Sequence, residues 1–193
     1  MSNKTTVALN TEQYENVINT IREGFMNKNG KAFRPNKQLS VALVLESNLG
    51  IRIGDILSLR FNDIIKDANR WRLNIIEKKT GKVRNFTVSN EIYTYIKIYC
   101  LENNIKLNAK IFRVGERNIQ QQLKIAVDYL GLENVSTHSF RKYYATEMYK
   151  NSGNNVLLVT KLLQHSSPST TQKYIGISEQ EIEQAIAGHN HLI

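Results

Sequence analysis

Between Thr137 and Gly176 the sequence carries His138-Ser139-Phe140-Arg141, then Leu162-Leu163-Gln164-His165, then Tyr174. An imidazole exchanges protons near neutral pH, a guanidinium stays charged and presents a planar fork of donors to an oxyanion, and a phenolic hydroxyl can act as a nucleophile. These groups suit the opening of a phosphodiester. That reaction needs charge neutralisation on the non-bridging oxygens, a nucleophile, and a proton for the departing oxygen.

Spacing decides whether the groups can meet. Residues three apart on an α-helix differ by roughly 60° in azimuth, so His138 and Arg141 share a face. His165 and Tyr174 are nine residues apart, and on one continuous helix they would point to opposite sides. Ser166-Ser167-Pro168 lies between them. A serine N-cap followed by proline at the first helical position reads as a stop and a restart. The spacing therefore predicts a second helix that turns Tyr174 back toward His165, so that one phosphate could meet all four side chains.

Two upstream segments add to this set. Arg52 and Arg141 could clamp one phosphate from two sides, because a guanidinium matches phosphate oxygens in pairs. Asp55 follows Arg52 by one turn and is placed to orient it; taken alone, the pair also reads as a surface ion pair worth about 0–1 kcal/mol. Lys79 stands beside Thr80-Gly81 at the expected tip of a hairpin, where an ammonium could act as general acid on the leaving oxygen. Lys78 and Lys82 compete for that role, and on a straight strand Lys78 and Lys79 would face opposite sides. Attack by Tyr174 would give a phosphotyrosyl ester that conserves the phosphodiester energy and needs no ATP. The acidic residues are dispersed rather than clustered, so metal-free chemistry without a cofactor is expected. His189 and His191 near the C-terminus supply only two ligands for a metal site.

The elements that must position these residues follow from caps and periodicity. Asn10 with Gln13 predicts a capped helix through about Met26, with Tyr14, Val17, Ile18 and Ile21 on its apolar face. A basic loop is expected from Lys28 to Pro35, then a helix from about Asn36 to Asn48 closed by Gly50, then a short helix opened by Arg52. From Phe61 to Val88 the period changes to that of strands, with breaks at Asp67-Ala68-Asn69 and Thr80-Gly81, predicting a three-stranded antiparallel meander. Ser89 caps a helix through about Asn103, and another runs from Glu116 to Leu130, closed by Gly131. Helices from His138 to Asn151, Val156 to Gln164 and Pro168 to Ile175 follow, then an amphipathic one from Ser178 to Ala187. The fold class is mixed α/β, mainly α-helical, with a small three-stranded antiparallel sheet.

With 193 residues, 41% hydrophobic content and two prolines, the chain is long enough for one well-buried domain. A net charge of +9 favours a polyanionic partner, nucleic acid first, because each neutralised phosphate releases counterions. No apolar run reaches spanning length and the polar start Met1 to Thr6 lacks a signal-peptide core, so a cytoplasmic location is expected. The single cysteine, Cys100, lies among apolar neighbours, which points to a buried thiol and away from redox chemistry or cysteine-based zinc sites.

Taken in order, Arg52 within Leu49-Gly50-Ile51-Arg52, Lys79 in Lys79-Thr80-Gly81, His138 with Arg141, then His165 and Tyr174 resemble the catalytic domain of the tyrosine recombinase, or phage integrase, family. The resemblance runs from about Leu9 to Ala187. Family members commonly carry glycine where Gln164 stands and glutamate where Asp55 stands. The resemblance implies that Arg52 and Arg141 grip the scissile phosphate, that Lys79 protonates the 5′ oxygen, and that Tyr174 forms a 3′-phosphotyrosine link. His138 and His165 would assist proton movement and phosphate binding, with Asp55 in support.

It further implies site-specific DNA recombination or integration in a phage or mobile element, by paired strand exchanges through a Holliday junction. The implied partner is double-stranded DNA carrying a specific site. The chain would act as a homo-tetramer there and be weakly associated or monomeric elsewhere; the apolar stripe of the final helix reads either as packing on its own domain or, as the resemblance implies, as docking on a neighbouring protomer. Residues 1–193 read as a single catalytic domain with no core-binding domain ahead of it, which predicts weak, strongly salt-sensitive DNA binding. Two alternatives carry different functions: a type IB topoisomerase-like enzyme that relaxes DNA, and a non-catalytic DNA-binding regulator on the same scaffold.

Overall fold

The computed structural model describes residues 6–176. The chain divides into two compact units, Met1–Tyr144 and Ala145–Ile193. The helix expected from Ser178 to Ala187 and the pair His189 and His191 lie outside the described residues.

In the first unit, α1 (Thr11–Glu23) opens on the capping box of Asn10 and Gln13 and buries Val17, Ile18 and Ile21. It ends three residues earlier than its apolar pattern suggests. Gly24 takes φ 74°, and the chain turns into a short hairpin, β1 (Phe25–Met26) paired antiparallel with β2 (Ala32–Phe33). The expected basic loop is thus the tip of a hairpin. Stacking of Phe25 on Phe33 and on Tyr129, with ring centroids 4.8 and 4.0 Å apart, anchors it.

Next, α2 (Lys37–Leu49) starts where Asn36 accepts from the Leu39 N–H, and it is buried on nearly every face. Gly50 ends it in the left-handed conformation, φ 60° and ψ 21°. After Arg52, α3 (Ile53–Ile56) makes a single turn. The expected meander follows as β3 (Ile64–Asp67), β4 (Arg70–Ile76) and β5 (Val83–Val88), all antiparallel, with Ile64 opposite Leu73 and Leu73 opposite Phe86. Period-2 alternation places Ile64, Leu73 and Val88 in the core and leaves Ile65, Ile76 and Val83 exposed.

Ser89 caps α4 (Asn90–Glu102), whose Tyr93 stacks on Trp71 at 3.6 Å and ties the helix to the sheet. Cys100 is buried there, and burial pushes its thiol pKa up. In α5 (Glu116–Tyr129), Ile119, Leu123, Ala126 and Val127 pack inward. Thr137 begins α6 (Thr137–Asn151), which sets Phe140 in the core.

In the second unit, α7 (Val156–Leu163) starts at Asn155, whose side chain accepts from the Leu158 N–H, and α8 (Pro168–Ile175) starts at Ser167, whose side chain accepts from the Thr170 N–H. The two helices pack together, with Val159, Leu163, Thr171 and Ile175 buried. No helix among the described residues is long and apolar enough to cross a membrane.

Gly50 fixes where α2 stops and hence where Arg52 emerges. A Cβ there would overlap the ring of Tyr144, on top of the left-handed backbone. Gly50→Ala is expected to lower unfolding free energy by about 2–4 kcal/mol from the combined backbone and overpacking costs, which urea denaturation measures.

Candidate active site

In the first unit, Arg52, Asp55, Lys78, Lys79, Glu116 and His138 line one cavity of about 330 Å³. They come from three helices and the β4–β5 turn, so the cavity exists only once the unit has folded. The turn is closed at its base by the Glu77 N–H on Lys82 O (2.9 Å) and the Gly81 N–H on Glu77 O (2.8 Å). Lys78 and Lys79 therefore sit in a turn rather than on a strand, strand alternation does not separate them, and both reach the same cavity. Lys78 Nζ donates to Gly54 O at 3.1 Å.

The partner of Arg52 differs from the one expected. Its Nη1 donates to Glu77 Oε2 at 2.7 Å, whereas Asp55 Oδ1 accepts from the Lys78 backbone N–H at 2.9 Å. The one-turn helix α3 directs Asp55 at the lysine turn, so this acid holds the turn and Glu77 holds the arginine. Glu77 is 1% exposed. Its Oε2 also accepts from Thr80 Oγ1 at 2.9 Å, and its Oε1 lies 3.4 Å from Nη1 of the buried Arg84. Burial opposes the charge on Glu77, but the Thr80 and Arg52 hydrogen bonds and the Arg52 and Arg84 charges outweigh it and hold the carboxyl below its ordinary pKa.

Residue type alone singles out neither Glu77 nor Arg84, yet alternation marks both. Counting by twos from Leu73 reaches Glu77, and from Val88 reaches Arg84, which puts a charge of each sign on the inward face of adjacent strands.

His138 carries an imidazole whose pKa is pushed below its ordinary value by burial, and then by the charges of Arg141, Arg52, Lys79 and Lys142. These causes favour its neutral form. Arg141, one turn further along α6, is 1% exposed. Burial, then the charges of Arg141 and Arg52, bring Arg84 down to about 10 against the pull of Glu77, so it stays protonated at neutral pH. On α2, Glu46 is fully buried, and burial raises its carboxyl well above the ordinary range despite the charge of Arg141.

In the second unit, the break between α7 and α8 turns Tyr174 back to His165, as the nine-residue spacing requires. Their rings meet edge to face, centroids 5.1 Å apart at 78°. Gln164 ends α7 in the left-handed region, φ 53° and ψ 36°, and the His165 N–H then bonds Thr160 O at 3.1 Å. His165 Nδ1 lies 3.0 Å from Thr171 Oγ1.

Two outcomes follow from these charges. Glu77→Gln leaves Arg84 buried without its counter-charge, and unfolding free energy at neutral pH is expected to fall by roughly 3 kcal/mol. Because the folded pKa of Glu77 lies below its unfolded value, its contribution is present above the unfolded pKa and is lost as pH falls through the folded one. Urea melts should therefore show the gap between wild type and variant closing in acid. For His138, imidazole NMR titration should give a pKa below the ordinary histidine value, and Arg52→Met should raise it by removing one of the opposing charges.

A family model described as "Phage integrase family" matches residues 7–181. Among curated proteins, the probable integrase/recombinase YoeC of Bacillus subtilis (strain 168) is 29% identical over 170 residues, covering 84% of this chain and 86% of YoeC. The tyrosine recombinase XerC of Caldanaerobacter subterraneus subsp. tengcongensis is 27% identical over 165 residues, covering 79% of this chain but only 45% of XerC. The chain thus spans most of YoeC and about half of XerC. Among solved structures, XerH site-specific recombinase in a post-cleavage complex with palindromic difH substrate superposes with a TM-score of 0.73 at 20% identity, over 97% of this chain and 54% of that one. The catalytic domain of bacteriophage HP1 integrase gives 0.63 at 16% identity, over 95% of each chain. The fold is therefore that of a tyrosine recombinase catalytic domain, and the chain belongs to the phage integrase family.

Proposed function

We propose that this chain catalyses site-specific DNA recombination by cutting and rejoining duplex DNA through Tyr174. The observation that carries this reading is the cavity where Arg52, Lys79 and His138 converge from separate elements, a set of groups matched to a phosphodiester. Arg52 and Arg141 neutralise the non-bridging oxygens, and His138, kept neutral, serves as a hydrogen-bonding group there. Tyr174 Oη bonds to phosphorus as its proton passes to His165. The 5′ oxygen departs with a proton from Lys79, leaving a 3′-phosphotyrosyl ester. Attack on that ester by a 5′ hydroxyl from another strand reverses every bond change and exchanges partners. Asp55 supports the step by holding the turn that carries Lys79. These groups supply charge neutralisation, nucleophile and acid themselves, so no metal or cofactor enters the reading.

The partner in this reading is double-stranded DNA with a specific site, bound in the cytoplasm by a homo-tetramer that is weakly associated elsewhere. The net charge of +9 supports it, as does XerH, whose complex holds a difH substrate. Residues 1–193 are read as a single catalytic domain, in keeping with the match to the HP1 catalytic domain over 95% of both chains. Relatives named as integrases and recombinases favour strand exchange over topoisomerase-like relaxation.

The test uses duplexes enriched from a random-sequence pool by repeated binding to the protein, then nicked so that a cleaved end diffuses away. Wild type should form a protein–DNA adduct that survives denaturation, and Tyr174→Phe should form none. Arg52→Ala or Arg141→Ala should slow adduct formation roughly 10²- to 10³-fold, and Arg→Lys should recover only part, since a point charge lacks the paired fork. Tight DNA binding without adduct would sink the enzymatic reading, and an adduct in Tyr174→Phe would sink the nucleophile.

A further inference from the structure

From Gly24 to Leu45 the sequence holds Lys28, Lys31, Arg34 and Lys37 and no acid. Lys37 bonds Glu102 at 2.6 Å, and Lys124 and Lys150 on other helices likewise reach Asp128 and Glu147. Lys28, Lys31 and Arg34, on the β1–β2 hairpin and its exit, are exposed, and none of them is ion-paired among the described residues. Their backbone is fixed at both ends. At the tip Asn27 Oδ1 accepts from the Asn29 and Lys31 N–H groups at 3.0 and 2.8 Å, and Gly30 turns the chain at φ 71°. At the base Phe25 stacks on Tyr129 of α5, and the Asn36 N–H bonds Ile21 O at 2.9 Å. A partner therefore meets a hairpin already in shape, which spares the cost of ordering a loop on binding. Between the hairpin and α5 lies another cavity of about 330 Å³, walled by Lys31 and Arg34, the amides of Asn27 and Gln122, and apolar Phe33 and Ile125. Its polar walls offer donors to an anion.

We propose that the β1–β2 hairpin and the cavity beside it form a second phosphate-binding site, in which Lys28, Lys31 and Arg34 grip the backbone of the duplex that Tyr174 cuts; the proposal rests on that reading of the chain. Helix α5 leads from Glu116 in the catalytic cavity to Tyr129 against the hairpin, a path of about 20 Å at 1.5 Å per residue. Phosphates recur about every 3.4 Å along one strand, so roughly six of them span that length. One duplex is long enough to meet both sites. The cations of the catalytic cavity act on the phosphate that reacts, whereas those of the hairpin meet phosphates that stay intact and so add affinity without lowering the barrier. An acidic protein segment would suit the same three cations. The link through α5 to a cavity matched to a phosphodiester, and a net charge of +9, favour DNA.

Binding of a labelled random-sequence duplex across a range of salt concentrations tests this on the intact chain. Lys28→Gln, Lys31→Gln and Arg34→Gln together should flatten the slope of log K against log salt by about 2 to 3, and each alone by about 1. The charge-keeping set Lys28→Arg, Lys31→Arg and Arg34→Lys should retain the wild-type slope. Lys66→Gln, Lys97→Gln and Lys106→Gln together remove the same charge from other exposed positions and should change it far less. On the nicked, pool-enriched duplexes the hairpin glutamine variant should need about 10- to 100-fold more protein for half-maximal adduct, yet reach the wild-type rate at saturation. An unchanged slope overturns the proposal, as does an equal flattening by the Lys66, Lys97 and Lys106 set, which would make net charge the cause. A saturated rate as slow as that of Arg52→Ala also overturns it, because the hairpin would then act in the chemistry. If wild type labels no DNA but the slope still depends on the hairpin cations, the enzymatic reading fails while the phosphate site stands.

Discussion

Glu77 is buried with a guanidinium on each of its oxygens, and a charge in that position persists only because it is paired. Around it the first unit gathers Arg52, Arg84, Arg141, Lys78 and Lys79. Burial first, and then the repulsion of these cations, draws Arg84 down to about 10 and pushes His138 below its ordinary value. Another buried acid, Glu46, is driven toward its neutral form by burial and offsets little of this charge. Arg52, Lys78 and Lys79 line the cavity beside Asp55 and Glu116, with Glu77 bonded to Arg52, and a low-dielectric wall strengthens interactions among such charges. In the proposed reaction the interaction of Arg52 with a phosphodiester anion grows as negative charge accumulates on phosphorus-bound oxygens during attack.

The same carboxylate also has a mechanical role. Its Oε2 is shared by Arg52 and Thr80, so the arginine at the start of α3 and the turn that carries Lys79 are referred to one atom. Asp55 repeats the connection from the opposite direction by taking the Lys78 N–H. Two acids in two elements thus hold each other's cations in register, which suits a reaction in which a misplacement of about 1 Å is costly.

How much of this is legible in the sequence depends on how local each feature is. Helix ends are readable because caps act over three or four residues: Asn10 with Gln13, Asn36, Ser89 and Gly50 all sit where their chemistry places them. The β1–β2 hairpin escapes such rules because strands of two residues carry no period, and its anchor, Phe25 against Tyr129, joins residues far apart in sequence. Proximity alone matches Asp55 to Arg52. The true partner lies 25 residues away and is set by how α3 and the β4–β5 turn come together, which no helical spacing encodes. Residue type also hides a readable signal, since Glu77 beside two lysines reads as a solvated charge until strand alternation is carried one step past Ile75.

The second unit is the opposite case, and Gln164 shows why. Everything that sets His165 against Tyr174 lies within a short run of chain: the αL stop at Gln164, the Ser167 cap and Pro168. Local rules are enough there, so the required turn follows from residue spacing and capping chemistry alone. The cost is also local. A non-glycine residue in the left-handed region gives up about 1–2 kcal/mol, and Gln164 accepts φ 53° where glycine would not be strained. That conformation is what lets the His165 N–H return to Thr160 O, and Thr160 is the residue whose hydroxyl reaches Thr171, the neighbour of the imidazole. An α7 one residue longer would carry His165 about 100° further round the helix, away from both threonines. The strain at Gln164 therefore belongs to the same device as the placement of His165: it ends the helix where the main chain returns to Thr160 and the ring meets Thr171 and Tyr174.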